Sequence, residues 1–136
     1  MKRTTAEWVK KAEADFQFAA RGVPEATPFH DQRCFLCQQA AEKYLKALLE
    51  EIGQPIPRTH ILRDLLALLA PYYPSLRPFT RGLKYLTRFA VAIRYPGDHA
   101  SKRQTEAALR WAGRVREACR TFLCLRTPRP RRRRPP

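Results

Sequence analysis

Apolar residues recur along this chain at intervals of three and four positions, the spacing that places them on one face of an α-helix. The apolar positions are Trp8, Ala12, Phe16 and Ala19 in a first predicted helix; Cys37, Ala41, Tyr44, Leu45, Leu48 and Ile52 in a second; Leu62, Leu65, Leu66 and Leu69 in a short third; Phe79, Leu83, Leu86, Ala90 and Ile93 in a fourth; and Ala108, Trp111, Ala112, Val115, Ala118, Cys119 and Phe122 in a fifth. No alternation typical of strands occurs. The pattern predicts an all-α fold, an up-and-down antiparallel four-helix bundle with one short extra helix.

Helix starts are predicted where a polar side chain can accept the free N–H groups of a first turn. The predicted caps are Thr4 with Glu7, Asp31, Thr59, and Ser101 with Gln104. Gly53 is expected to end the second helix. We expect one domain over residues 4–125 and a disordered, Arg- and Pro-rich tail over residues 126–136, since the tail has too few apolar residues for a packed core.

The net charge of the 136-residue chain is +15 at pH 7, with 44% hydrophobic residues. Six arginines lie in the tail, and the rest of the chain still carries +9 because no acidic residue follows Glu117. This balance favours nucleic acid or another polyanion as partner. The alternative is an arginine-rich surface that serves solubility alone. The tail residues predicted to contact nucleic acid are Arg126, Arg129, Arg131, Arg132, Arg133 and Arg134.

The sequence contains no apolar run of 18 residues, and its first residues lead into an amphipathic helix rather than a signal peptide. The expected location is the cytoplasm, without membrane contact.

Four cysteines are present, and two of them, Cys34 and Cys37, form a C-x-x-C inside the second predicted helix. Cys119 and Cys124 lie near the end of the fifth. A zinc site or a disulfide is one interpretation, but structural zinc sites usually place this motif in a turn. Small buried hydrophobic residues are the favoured interpretation. No metal and no cofactor is expected.

The stretch Ile93–His99 ends the fourth predicted helix, because Pro96 cannot continue it and Gly97 permits a sharp break. Arg94 is a permanently charged fork suited to phosphate, and His99 can exchange a proton near neutral pH. The break would let His99 fold back toward Arg94.

Two groups of residues resemble the HEPN family. The first is the helix Cys34–Leu49, with its run Gln-Gln-Ala-Ala-Glu-Lys. The second comprises Pro57-Arg-Thr-His-Ile-Leu62 and Ala92-Ile-Arg-Tyr-Pro96, which follow in the expected order after the opening Trp8 helix. The resemblance covers about Thr5 to Leu125.

The resemblance implies a helical bundle that often forms a two-fold homodimer. Many members are metal-independent endoribonucleases with an Arg-x(4–6)-His motif at the dimer interface, which here corresponds to Arg94 and His99. Others accompany a minimal nucleotidyltransferase, as a toxin–antitoxin pair or as a nucleotide-binding helper, and some are non-catalytic. Toxin members commonly carry tyrosine two residues after the histidine. Ser101 occupies that position here, so control by tyrosine modification there is not expected.

We expect Arg94 to bind the scissile phosphate and His99 to move a proton. Glu42, on the predicted polar side of the second helix, either positions a catalytic group or pairs with Lys46 four residues later. His60 either orients its loop through a hydrogen bond or takes part in catalysis, and Asp98 is a further supporting candidate. The two competing functions are a toxin-like ribonuclease and a non-catalytic module that binds nucleotides or supports a nucleotidyltransferase.

Overall fold

The computed structural model describes residues 1–21, 28–91 and 96–125. Its helices are α1 (Arg3–Ala20), α2 (His30–Glu51), α3 (Leu62–Leu69), α4 (Thr80–Thr87) and α5 (Lys102–Phe122). Two 3₁₀ segments, Pro74–Phe79 and Arg88–Ala90, flank α4. No strand occurs in the described residues, and the predicted all-α bundle is confirmed.

Hydrogen bonds between the helices define their directions. The Thr4 hydroxyl donates to Glu50 at 2.7 Å, and the Arg33 guanidinium donates to the Ala19 carbonyl at 2.9 Å, so α1 and α2 are antiparallel. By contrast, α2 and α5 run in the same direction, with Cys34 beside Thr105 near their starts. An up-and-down order requires this, since α2 and α5 are the second and fourth main helices.

The core is built around α2, which is buried along most of its length. Its apolar face matches the predicted positions: Cys37, Ala41, Tyr44, Leu45 and Leu48 are all fully buried. From α5, small residues such as Ala108 and Ala112 face this surface, so the two backbones can approach closely. None of the described helices is long and apolar enough to cross a membrane.

The predicted caps are correct at one helix of four. Ser101 forms the expected capping box, accepting from the Gln104 N–H at 3.1 Å while the Gln104 side chain accepts from the Ser101 N–H at 2.9 Å. The other three predicted caps are wrong, because tertiary contacts take up those side chains or the helix begins elsewhere.

In α1 the helix begins at Arg3, and Thr4 bonds to α2 instead of capping. In α2 the N-cap is Phe29, with a left-handed φ of 51°, and Asp31 lies inside the first turn. Before α3, the Thr59 hydroxyl accepts from the Ile61 N–H, but the helix starts only at Leu62.

The fourth helix is shorter than its apolar pattern predicted. It ends as α-helix at Thr87, whose hydroxyl donates to the Leu83 carbonyl at 2.8 Å and accepts from the Leu62 N–H at 3.2 Å. Such a bond to the carbonyl four residues earlier bends helices, and here the chain tightens into the 3₁₀ turn Arg88–Ala90. Ile93, the last predicted apolar position, lies outside the described residues.

Candidate functional site

His99 lies in the short loop between the Gly97 turn, which has a φ of 97°, and the capping box of α5. Its side chain is 77% exposed, and its Nδ1 lies 3.7 Å from Asp31 Oδ2. The neighbouring Ala100 N–H donates to Asp31 Oδ1 at 2.6 Å. The backbone on the C-terminal side of His99 is therefore held against α2, while the imidazole remains open to solvent.

Asp31 lies at the start of a helix, as predicted, but its hydrogen-bond partner is not the one predicted. Its carboxylate lies in the first turn of α2, where a negative charge complements the positive end of the helix dipole. Instead of capping its own helix it accepts a hydrogen bond from residue 100, which is 69 positions away. No local sequence pattern signals a contact over that distance.

Arg94, the predicted partner of His99, lies outside the described residues, as do the six tail arginines predicted to contact nucleic acid. The pairing of Arg94 with His99 thus stays a prediction. Asp98 is described and exposed, and it forms no ion pair with any other described residue.

Glu42 is buried, with 4% of its surface exposed, so its expected place on the polar side of α2 is wrong. The predicted ion pair with Lys46 is present, at 3.2 Å between Lys46 Nζ and Glu42 Oε2. The other carboxylate oxygen, Oε1, accepts from Gln38 Nε2 at 3.3 Å and lies 2.7 Å from His60 Nδ1. These partners satisfy a charge that would be costly to bury alone.

His60 is held against α2 by hydrogen bonds, and its side chain is 65% exposed. Gln38 donates to the His60 carbonyl at 3.2 Å, and Glu42 fixes Nδ1, which leaves Nε2 facing away from the carboxylate. The predicted loop-orienting hydrogen bond is therefore present.

The structure does not bring His60 and His99 together within one chain. Their anchoring carboxylates, Glu42 and Asp31, are eleven residues apart on α2. This separation corresponds to about 16 Å along the helix axis.

Three of the four cysteines are buried, as expected, and the fourth is not. Cys34, Cys37 and Cys119 are fully buried, and Cys124 is exposed in a left-handed turn. Burial raises the pKa of the Cys37 thiol to about 12 and raises that of Cys119 as well. Among the described residues no group of three or more His, Cys, Asp or Glu side chains is arranged to hold a metal ion.

A groove between α3, α4 and α5 was missed by the sequence reasoning. Its volume is about 950 Å³. Four basic side chains line it, together with two aromatic ones: Arg63, Arg81, Lys84, Arg88, Tyr85 and Trp111. The sequence does indicate a basic surface in this region, because only one acidic residue, Asp64, occurs between Glu51 and Asp98. The charge bias indicates a basic surface but not which helices would form it.

The comparison with models of protein families identifies one family. The HEPN domain model matches residues 5–122. A search of curated proteins finds no match.

Among solved structures, the protein TT1696 from Thermus thermophilus is similar, with 24% identity and a TM-score of 0.73 over 88% of this chain and 98% of that one. ST0689, an archaeal HEPN homologue, has 24% identity and a TM-score of 0.71 over 90% and 99% of the two chains. The HEPN domain protein tm0613 from Thermotoga maritima has 20% identity and a TM-score of 0.60 over 89% and 94%. Because the HEPN domain model matches most of its length, this chain belongs to the HEPN domain family.

Proposed function

We propose that this protein is a metal-independent endoribonuclease of the toxin type, with Arg94 and His99 as its catalytic pair at the interface of a homodimer. The observation that supports this most is the placement of His99. Asp31 holds the adjoining backbone while 77% of the His99 side chain stays exposed. A fixed backbone with an accessible imidazole suits a group that must reach a substrate proton.

The proposed reaction is transfer within the RNA strand. The 2′-oxygen attacks the adjacent phosphorus, a 2′,3′-cyclic phosphate forms, and the bond to the 5′-oxygen of the next nucleotide breaks. His99 takes the proton from the 2′-hydroxyl or gives one to the departing 5′-oxygen. Arg94 binds the phosphate and stabilises the charge that develops on its oxygens.

A second copy of the chain is the proposed neighbour of the His99 loop. Phe35 follows Asp31 by one turn on α2 and is 37% exposed, and Phe29, just before α2, is 43% exposed. Two large apolar side chains beside the loop support an interface there. A two-fold axis at this place would bring two copies of the motif together. By family resemblance, a minimal nucleotidyltransferase is the proposed antitoxin.

Cleavage of a labelled RNA by purified variants tests the catalytic pair. His99→Ala should lower turnover about 10²–10⁴-fold with RNA binding retained, the usual range for a positioned acid or base. Arg94→Ala should weaken both binding and turnover, and Arg94→Lys should rescue only in part, because an ammonium lacks the planar fork. EDTA should leave the rate unchanged, since the proposed steps use an arginine and a histidine.

Two matched variants serve as controls. Arg103→Ala removes an exposed arginine from the first turn of α5, and Lys10→Ala removes an exposed cation from α1. Both should cleave at near the wild-type rate. Equal cleavage by wild type and His99→Ala would contradict the proposal and favour the non-catalytic, nucleotide-binding alternative. Light scattering that shows only monomers while cleavage persists would exclude the shared site.

A further inference from the structure

The basic groove between α3, α4 and α5 carries charge that the described protein does not neutralise. Arg63, Arg81, Lys84 and Arg88 are all exposed, and none forms an ion pair with another described residue. One carboxylate, Asp64, shares the groove. Some basic groups elsewhere in the bundle do have acidic partners, as in Lys43 with Asp15 at 2.5 Å. Four cations facing one carboxylate form a surface suited to an anionic partner.

Aromatic rings lie among these cations. The Arg88 guanidinium lies over the Tyr85 ring, 4.6 Å from its centroid. The Trp111 ring forms part of the groove and packs on α4 at Gly82. A guanidinium that lies over a ring can offer its outer face to a nucleobase, and RNA-binding proteins stack unpaired bases on arginine and aromatic planes. Phosphate-binding charges and a stacking plane thus occur in one groove.

The size of the groove is that of a ligand-binding site. About 950 Å³ is at the upper end of the roughly 300–1,000 Å³ typical of small-molecule sites. That space fits a few nucleotides of one strand. Duplex RNA is instead recognised over a broad surface that spans about 16 base pairs.

The groove is joined to the His99 loop through Tyr85. Its hydroxyl donates to the Gln104 carbonyl at 3.3 Å, and Gln104 closes the capping box with Ser101, two residues after His99. A strand that lies along α4 and passes Tyr85 therefore approaches the loop that carries the proposed proton-transfer residue.

We propose that this groove is a binding site for single-stranded RNA, in which Arg63, Arg81 and Lys84 contact phosphates and Arg88 on Tyr85 stacks a base. We also infer that it guides the strand to His99, and this second part rests on the proposed ribonuclease function. The combination of separated cations with a stacking plane favours RNA over an acidic protein segment. An acidic segment would pair with the cations, but it has no nucleobases to stack on the plane.

The test measures binding of a fluorescent 12-nucleotide 2′-O-methyl RNA to the full chain carrying His99→Ala. That strand cannot be cleaved because its 2′-oxygen carries no proton, so binding is read independently of catalysis. The groove variant is Arg81→Gln with Lys84→Gln, two exposed residues of α4. The matched control is Lys10→Gln with Lys11→Gln, which removes the same charge from the exposed face of α1.

The groove variant should bind at least 10-fold more weakly at 150 mM salt. The slope of log affinity against log salt should fall by about 1.4, since each lost phosphate contact on a single strand contributes about 0.7. The control should lose much less affinity.

The stacking plane is tested by Arg88→Lys, which keeps the charge but loses the planar guanidinium. This variant should bind the RNA at least about 3-fold more weakly, with an unchanged salt slope. Circular dichroism melts check that each variant is folded.

Equal losses in the groove and control variants would overturn the proposal, because the affinity would then reflect overall charge. Retained RNA binding together with lost binding of a poly-glutamate peptide would also overturn it and assign the groove to an acidic protein.

A further measurement separates RNA binding from guidance of the strand to His99, namely cleavage by the groove variant with His99 intact. A raised KM with little change in kcat supports guidance of the substrate, and an unchanged KM rejects it. Groove binding by a wild-type protein that cleaves no RNA would refute the ribonuclease and leave the binding site standing.

Discussion

Among individual residues, acidic side chains of α1 and α2 hold distant parts of the chain in place. Glu13 accepts three hydrogen bonds from Arg116 of α5, at 2.5 and 3.1 Å from Nε and 2.7 Å from Nη2, and a fourth from the Tyr44 hydroxyl at 3.0 Å. Burial by itself raises the pKa of Glu13, but the hydrogen bonds from Arg116 and Tyr44 outweigh it and hold the pKa below the ordinary value of 4.5. Glu13 thus links three helices as a carboxylate.

The free energy of unfolding should therefore depend on pH through the protonation of Glu13. Its folded pKa lies below its unfolded one, so its contribution is complete above about pH 4.5 and is lost as the pH falls through the folded pKa. Glu13→Gln should lower the free energy of unfolding by about 2 kcal/mol at pH 7, the scale of a hydrogen bond to a charged group. The loss should shrink toward pH 3. Urea denaturation at several pH values measures both effects.

The control for this prediction is Glu7→Gln, which removes an exposed pair with Arg3 on α1. Exposed pairs contribute roughly 0–1 kcal/mol, so this variant should remain close to wild type. An equal destabilisation in both variants, or a loss from Glu13→Gln that does not change with pH, would contradict the assigned role of Glu13.

At the scale of secondary structure, the contact between α4 and α5 depends on a residue with no side chain. A Cβ added at Gly82 would lie only 2.0 Å from Cε3 of Trp111, so the indole occupies the space that any other residue would need. On α5, Gly113 is in a different setting, because a Cβ there would lie 3.7 Å from the Phe16 ring, an ordinary contact. The two helical glycines should therefore respond in opposite ways to alanine.

Gly82→Ala should destabilise the fold by about 1–3 kcal/mol, the usual cost of overpacking, which exceeds the gain in helix propensity. Gly113→Ala should stabilise it by up to about 1 kcal/mol, since alanine favours the helix and meets no clash. Thermal and urea unfolding measure both changes. Stabilisation by both substitutions would show that the indole moves without cost and that Gly82 is not required for the contact.

At the scale of the whole molecule, charge is unevenly distributed. Of the 12 acidic residues, eight belong to α1, α2 and the segment between them, whereas the stretch from Ile52 to Gly97 contains Asp64 alone. The six tail arginines add positive charge beyond α5. An excess of positive charge of this kind attracts a polyanion and makes the association sensitive to salt.

We predict that the tail adds non-specific RNA affinity. Deletion of residues 126–136 removes six of the cationic side chains, and the salt dependence of binding should become shallower by as much as about 4, given about 0.7 for each phosphate neutralised on a single strand. Binding titrations from 50 to 300 mM salt measure the slope. A slope unaffected by the deletion would show that the tail makes no contact with RNA.

The sequence alone determined the features that depend on neighbours along the chain. The spacing of Tyr44, Leu45 and Leu48 predicted the buried face of α2, and the Ser101–Gln104 capping box was predicted with both of its hydrogen bonds. Both depend on residues no more than four positions apart, so the repeat of the helix is enough to relate them. The family could also be named from the order of residues in α2.

Only the tertiary structure decided the features that join distant residues. Thr4 was expected to cap its own helix and bonds to Glu50 instead, and Asp31 holds residue 100. Glu42 follows the expected spacing to Lys46, but its burial depends on the loop that brings His60 against it. The basic groove forms because α3 and α4 turn their exposed cations toward the same space. A polar side chain bonds to whichever partner packing brings within reach, and that choice lies beyond the few neighbouring residues that a local pattern relates.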